Sequence, residues 1–532
     1  MSSRGEKTGQ MKIALAQLNY TIGDFEENKV KIIDHIVKAK AQGAQLVIFA
    51  EQAISGTPAF DLLNKVNFLD LCEEALIEVA SYCDGITAIV GLPLQSNTST
   101  ISGAAVIQDR TVKKYIGKKN IVVREEMWHI SPSKGCEYVM VGKKKVAIVI
   151  GEDINYGCGI GEMADLIVNI DASAYSRGII ERGYDFYSQY AFTNGKPVAH
   201  INHVGASTDI IYDGSSSVFN GKGEAIALLK SFEEDFVVVN IDRAKAIPVP
   251  PQDKTHNVYR AIKLGLKDFF ARNGFKKACL GMSGGIDSAV VLAIAAEVLG
   301  VENLRILMMP SQFSSDHSVE DAVEMAENLR IEYNVVPITE IYKAAVETMK
   351  PVIGGTKFDV TEENIQSRIR CMLIMSLSNK YGYVLLNTSN KSELAVGYGT
   401  LYGDAAGALS ILGDLYKIEV YDLARYINRK KEIIPENIIL KEPSAELRPE
   451  QKDSDSLPPY DVLDAILSRM IEEGQSREEI INAGFDAETV YKVYGMVLRN
   501  EHKRYQFCPT LRLSSRNFRR DRVMPLTSKY GF

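Results

Sequence analysis

"KACLGMSGGIDSAVVLAIAAEVLG", residues 277–300, decides the architecture of half the chain. A short hydrophobic strand runs into a corner of glycine and serine, and an apolar helix leaves it. That handover aims free backbone N–H groups and the positive end of a helix dipole at whatever sits in the corner, which favours an anion. Ser283, Gly284 and Gly285 let the backbone approach a phosphate closely, and Ser288 adds a hydroxyl. Asp287 is wrong for touching phosphate directly but right for holding magnesium against it. A Walker loop would close on Gly-Lys-Ser/Thr, and none is present. An ordinary strand–turn–helix corner is the bland alternative, but one glycine normally suffices for that.

Outward from this loop the grammar stays α/β. The helix "VYRAIKLGLKDFFARNG" precedes it; the strand "LRILMMP", the helix "DAVEMAENLR" and the strand "EYNVVPI" follow, in the rhythm of a parallel sheet. Upstream, "RAKAIPVPPQDKTHN" carries three prolines that suit neither a helix nor a central strand. We therefore expect a domain over 11–245, a linker over 246–257 and a second domain over 258–532. The first half alternates in the same way: strand "KIALAQLNY", helix "NKVKIIDHIVKAKAQG", strand "AQLVIFAE", then further strands to "DFVVVNID". At 532 residues, two cores are needed in any case.

Bulk properties exclude several classes. A net charge of −7 argues against general nucleic-acid binding, which needs a basic excess. The apolar runs are too short or too interrupted to span a bilayer, and "MSSRGEKTGQ" lacks the apolar core of a secretory signal. Seven cysteines are scattered without a CxxC pair, so zinc clusters and disulfides are not expected, and a reduced cytoplasmic setting is.

The "SGGIDS" loop resembles the pyrophosphate loop of enzymes that cut ATP between its α and β phosphates, a group too broad to name one activity. "ENIQSRIRCMLIMSLSNKYGYVLLNTSNKSELAVGYGTLYGDAAGALSILGDLYKIEVYDLARYIN" (363–428) narrows it. With "PSAELRPEQKDSDSLPPYDVLDAIL" (443–467) and "NEHKRYQFCPTLRLSSRNFRRDRVMP" (500–525), it resembles the NAD synthetases, especially the two-domain, glutamine-dependent type. The resemblance implies a doubly wound, Rossmann-like parallel sheet of the adenine nucleotide alpha hydrolase kind. It also implies magnesium-dependent, ATP-driven amidation of deamido-NAD (nicotinic acid adenine dinucleotide) by ammonia, with release of AMP and pyrophosphate. By the family pattern Gly281, Met282, Ser283, Gly284, Gly285, Ile286, Asp287 and Ser288 bind ATP together with Thr388. Asn364, Glu393 and Lys503 contact deamido-NAD, and Asp287 and Glu393 lie at the metal. Taken from the residues alone, Thr388 and Asn364 read equally well as caps, Lys503 as part of a solvated basic face and Glu393 as a surface carboxylate. "EPSAELRPEQKDSDSLPPYD" reads as a mobile loop beside the site, a lid over the reactants.

The first half resembles the nitrilase-like glutaminase domain of the same family, an αββα sandwich, through "VNIDASAYSRG" and "VAHINHVGASTDIIYDGSS". Such amidases use a glutamate base, an oxyanion-stabilising lysine and a cysteine nucleophile. Glu51 falls where the base belongs. Lys118 is the first candidate for the lysine and Lys119 the second, and Glu126 or Glu125 resembles a further family acid. The family's "CEDIW" reads "GEDIN" here, so Gly151 stands at the nucleophile position. Cys158 is seven residues further on, too far to replace it. The neighbouring family segment "LPNYGVFDE" is shortened and rewritten as "IVVREE", which a single engineered change at Gly151 would not explain. Glu51 and Lys118 are therefore expected to be remnants, and the domain to serve as a scaffold for homo-oligomerisation. Ammonia becomes the expected nitrogen donor. The alternatives are glutamine dependence through a separate ammonia-supplying glutaminase, an engineered glycine, or a non-catalytic nucleotide-binding regulator. No nucleic-acid or membrane partner is expected.

Overall fold

Strands packed on both faces need apolar side chains without alternation, and most of the segments read as strands have that pattern. β1 (Lys12–Gln17) has one exposed residue followed by five buried ones, and β8 (Leu166–Ile170) is buried throughout. A computed structural model describes residues 10–96, 99–121, 130–156 and 163–528. They fall into two units, one ending at Gln252 and the other beginning at Asp253. Among the described residues no helix is long and apolar enough to cross a membrane.

The first unit adds β2 (Leu46–Ile48), β3 (Thr87–Gln95), β4 (Thr100–Gln108), β5 (Thr111–Gly117), β6 (Glu137–Val141), β7 (Lys144–Ile150), β9 (Val198–Ile201), β10 (Val204–Ser207), β11 (Ile210–Asp213), β12 (Ser217–Phe219), β13 (Ala225–Leu228) and β14 (Asp235–Asn240). Two six-stranded sheets result, in the orders β14-β1-β2-β3-β4-β5 and β13-β12-β9-β8-β7-β6. β1, β2 and β3 run parallel at the centre of one, and β7, β8 and β9 at the centre of the other. Ile13 and Leu15 of the first sheet share a core with Val146, Ile148, Ile150 and Val168 of the second. Helices Phe25–Ala41 and Val66–Ser81 pack on the first sheet, and Ile179–Asn194 on the second, giving the αββα sandwich. β5 and β6, absent from the sequence reading, are sheet-edge strands whose partly exposed faces hide the apolar signal.

The second unit holds β15 (Ala278–Gly281), β16 (Leu304–Met308), β17 (Tyr333–Val335), β18 (Val384–Asn387) and β19 (Leu409–Ser410) in the order β17-β16-β15-β18-β19, all parallel. The chain winds outward from β15 to β17, then returns to β18 on the other side of β15. Strand order therefore reverses between β15 and β18, and the crevice at their carboxyl ends is where such sheets bind ligands. The helix Ile286–Leu299 is buried almost throughout its length against the helices Lys254–Arg272 and Lys417–Asn428. The helix Lys254–Arg272 starts four residues before the expected start of the second domain at 258. Asp253 caps it, accepting a hydrogen bond from His256 N at 3.0 Å.

A cluster of helices completes this unit around Leu463, Ile466, Leu467, Val490 and Val493, with Ala395 and Val396 of the short helix Lys391–Val396. Lys391 is wholly buried. Its Nζ lies 3.0 Å from Asp414 Oδ1 and 2.9 Å from Glu472 Oε1, and donates to Ser514 Oγ at 2.7 Å. Asp414 in turn accepts from Leu513 N at 2.8 Å and Ser514 N at 2.7 Å, tying the C-terminal segment to this helix. Removing one partner of a buried pair leaves the other uncompensated. Lys391→Met is thus expected to cost about 3–5 kcal/mol. Urea unfolding followed by circular dichroism will show the lower midpoint, and hydrogen exchange will show lost protection in Lys391–Val396.

Candidate functional site

β15 ends at Gly281, and the loop that follows crosses the carboxyl end of the sheet before the helix Ile286–Leu299 begins. No side chain caps that helix, so its first-turn N–H groups stay available to a ligand. The loop is internally braced: Gly285 N donates to Ser283 Oγ at 3.2 Å, and Ser288 Oγ donates to Gly285 O at 2.9 Å. Gly284 has φ +76°, and a Cβ there would stand 2.2 Å from Ser318 O. Glycine is needed at this position both for its backbone conformation and for the close approach of the neighbouring chain.

β18 ends at Asn387 on the other side of the strand-order reversal, followed by Thr388 and by Asn390, which caps the helix Lys391–Val396. Gly281–Ser288, Asn364, Thr388, Glu393 and Lys503, the whole set expected for the second domain, line one cavity of about 470 Å³. Asn364 Oδ1 accepts from Thr400 Oγ1 at 2.7 Å. Lys503 is not on a solvated face: its Nζ donates to Gly397 O at 2.8 Å and Gly399 O at 2.9 Å, and burial lowers its pKa.

Two carboxylates converge on one ammonium at the floor of the cavity. Lys417 Nζ lies 2.6 Å from Asp287 Oδ2 and 3.4 Å from Glu393 Oε1, while Asn390 Nδ2 donates to Asp287 Oδ1 at 2.9 Å. Burial pushes the Glu393 carboxyl up to about 8, with Lys417 pulling the other way. Burial alone would lower Lys417, yet Asp287 and Glu393 beside it hold it above the usual lysine range. Lys417 thus bridges the carboxylates of Asp287 and Glu393. Hard carboxylate oxygens beside a phosphate cradle suit magnesium, which takes one or two carboxylates and completes its shell from phosphate and water. Among the described residues no three His, Cys, Asp or Glu side chains form a group that could hold a metal ion by themselves.

Sequence reasoning missed Lys417, Asn390 and Arg370. Lys417 stands at the start of an amphipathic helix, where a lysine ordinarily meets solvent, and only the fold reveals its burial. Arg370 lines the cavity and donates through Nε to Met309 O at 3.0 Å; burial brings its pKa down to about 10. The segment expected to be a lid lies against the same cavity through Glu442–Leu447, Gln451 and Asp453. Glu446 fastens it, accepting from Ser318 Oγ at 2.6 Å and Ser315 Oγ at 2.9 Å.

In the first unit, β7 ends at Ile150 and the chain turns sharply through Gly151, whose φ is +53°. The left-handed conformation at a strand end is that of a nucleophile elbow. A Cβ on Gly151 would meet Lys118 Nζ at 2.7 Å and Glu51 Oε2 at 3.1 Å, so the structure brings Glu51, Lys118 and Gly151 together. Lys118 Nζ lies 2.7 Å from Glu152 Oε2 and 3.5 Å from Glu51 Oε1, and Ser102 Oγ donates to Glu51 Oε1 at 2.5 Å. Lys119 instead lays its aliphatic stem against Gly135. Glu125, Glu126 and Cys158 lie outside the described residues.

The family described as NAD synthase matches residues 258–507, and that described as carbon-nitrogen hydrolase matches 12–156. A glutamine-dependent NAD(+) synthetase of Thermotoga maritima is 38% identical, over 98% of this chain and 99% of its own. One from Synechocystis is 38% identical, over 97% and 99%. The solved structure of the Acinetobacter baumannii glutamine-dependent NAD+ synthetase with ADP is 35% identical, with a TM-score of 0.78 over 97% of this chain and 98% of that one.

The two loop glycines give contrasting expectations. Gly284→Ala should cost about 2 kcal/mol or more, from backbone strain and the clash with Ser318 O, and weaken ATP binding at least ~10-fold by calorimetry. At Gly285 a Cβ would meet only Ser283 Oγ, at 3.2 Å, so Gly285→Ala should cost about 1 kcal/mol or less.

Proposed function

The chain belongs to the two-domain NAD synthetase family, and from that premise we propose that it amidates deamido-NAD with free ammonia. The observation that carries the choice of nitrogen donor is Gly151. At the elbow where an amidase presents its nucleophile there is no side chain, so no thioester with a glutamine carboxamide can form.

The synthetase reaction runs in two displacements. The pyridine carboxylate oxygen of deamido-NAD attacks the α-phosphorus of ATP, and the bond to the β-phosphate breaks to release pyrophosphate. Ammonia then attacks the carbonyl carbon of the adenylate, the C–O bond to AMP breaks, and the amide remains. No protein nucleophile is required; positioning and charge neutralisation do the work. In this reading the Gly281–Ser288 loop cradles the phosphates, and Thr388 contacts ATP. Asn364, Glu393 and Lys503 hold deamido-NAD, and Lys417 and Arg370 offset the charge of two anionic reactants. Asp287 and Glu393 would hold magnesium, which supplies further neutralisation of the phosphates when bound.

Glu51 and Lys118 are remnants in this account, held as a buried pair beside the partly exposed Glu152. The first unit serves as a scaffold for homo-oligomers, and ammonia comes from the medium or from a separate glutaminase in the cytoplasm. Purified protein with ATP, magnesium and deamido-NAD is expected to form NAD+ from ammonium. With glutamine alone, kcat/KM should be at least ~10³-fold below that of nucleophile-bearing relatives. Glutamine-driven synthesis by this chain alone at a rate matching the ammonium reaction would overturn the proposal.

A further inference from the structure

Among the described residues three aromatic side chains stand on left-handed backbone: Phe60, Phe232 and Tyr402, the last at φ +63°. That conformation is costly for a bulky residue and persists where its surroundings enforce it, most often at functional sites. Phe232 is buried and Phe60 half-buried, so packing of the ring offsets the strain at both. Tyr402 is 70% exposed, and its ring gains little from burial.

Polar bonds hold the turn around Tyr402 instead. Asp404 Oδ1 accepts from Thr400 N at 2.7 Å and from Ser367 Oγ at 2.9 Å. Gly403 N donates to Thr400 O at 3.0 Å, and Arg368 Nε donates to Leu401 O at 3.3 Å. The ring is oriented as well, because Tyr402 OH donates to Gln506 Oε1 at 2.6 Å. An exposed aromatic face is thus fixed before any ligand arrives, which lowers the entropy lost on binding.

Thr400, Gly403 and Asp404 line the catalytic cavity, and Tyr402 stands among them on its rim. The turn adjoins two residues that hold deamido-NAD in the reading above. Thr400 Oγ1 donates to Asn364 Oδ1, and Gln506 N donates to Lys503 O at 2.9 Å. The reaction needs the pyridine carboxylate of deamido-NAD at the α-phosphorus of ATP, inside the cavity. A volume of about 470 Å³ suits one drug-sized ligand, and here ATP and a dinucleotide share it. The adenosine end of deamido-NAD, farthest from the reacting carboxylate, therefore passes over the rim. Resting on the synthetase reading, we propose that Tyr402 is the platform on which the adenine of deamido-NAD stacks. Tyr402 then distinguishes a dinucleotide from a mononucleotide and takes no part in the chemical step.

Crystals of the full chain with deamido-NAD should show the adenine face to face with the Tyr402 ring; an adenine seated elsewhere overturns the proposal. Tyr402→Ala should raise the KM and the calorimetric Kd for deamido-NAD ~10-fold or more, the size of one lost base–aromatic stack. Its kcat at saturation and its Kd for ATP should stay within about 2-fold of wild type, as for a contact made equally in ground and transition states. Its melting temperature should stay within about 2 °C, as for an exposed side chain. Tyr402→Phe keeps the π-face without the bond to Gln506 and should retain most of the affinity. An unchanged Kd for deamido-NAD in Tyr402→Ala, an equal loss for ATP, or a Phe variant as weak as the Ala variant would each overturn the stack. Failure of the wild type to make NAD+ from ammonium refutes the nitrogen-donor reading instead, and leaves the binding comparison to decide this one.

Discussion

A single buried ammonium sets the geometry on which the synthetase site depends. Lys391 has no access to solvent, so its charge is tolerable only because Asp414 and Glu472 surround it and Ser514 takes a further proton. The cost of separating these groups fixes the start of the helix Lys391–Val396 against the C-terminal segment. Asn390, one residue earlier, caps that helix while its amide donates to Asp287. Glu393 closes the capping box from the other end. Thus the position of one lysine is passed within three residues to both carboxylates of the cavity floor.

The parallel sheet supplies the other constraint. Because the chain leaves β15 in one direction and returns to β18 on the opposite side, the loops after these strands diverge and leave a crevice between them. The loop after β15 offers backbone donors and the loop after β18 offers side chains, and the two face each other across the cavity. Lys417 spans the two by pairing with Asp287 from the first and Glu393 from the second. Glu446 adds a third wall by binding Ser318, whose carbonyl is the atom that forbids a side chain on Gly284. The glycine, the serine and the glutamate form one packing unit at the loop after β15.

What could be read from the sequence was what depends on local backbone chemistry. A glycine-rich corner between an apolar strand and an apolar helix has few alternative structures, and the βαβ rhythm around it sets the sheet. The pairing of Lys417 and the docking of Glu446 arise from contacts between distant segments, and nothing local distinguishes those residues from solvated ones. Edge strands β5 and β6 were missed for a related reason, since a half-exposed strand carries polar residues that a loop would also carry. The start of the helix at Lys254 was obscured by the three prolines before it, although Asp253 is a good cap.

The first unit raises the question of why an amidase cluster persists beside a vacant elbow. A side chain at φ +53° carries strain, commonly about 1–3 kcal/mol, that an active amidase tolerates for the sake of presenting its nucleophile. Glycine adopts the same conformation freely. Glu51 and Lys118 are in a different position. Each is buried, and each helps to balance the other together with Glu152. Lys118 also keeps the Glu152 carboxylate at 2.7 Å, and Glu51 accepts from Ser102 Oγ. Burial and opposite charge are enough to hold the pair together.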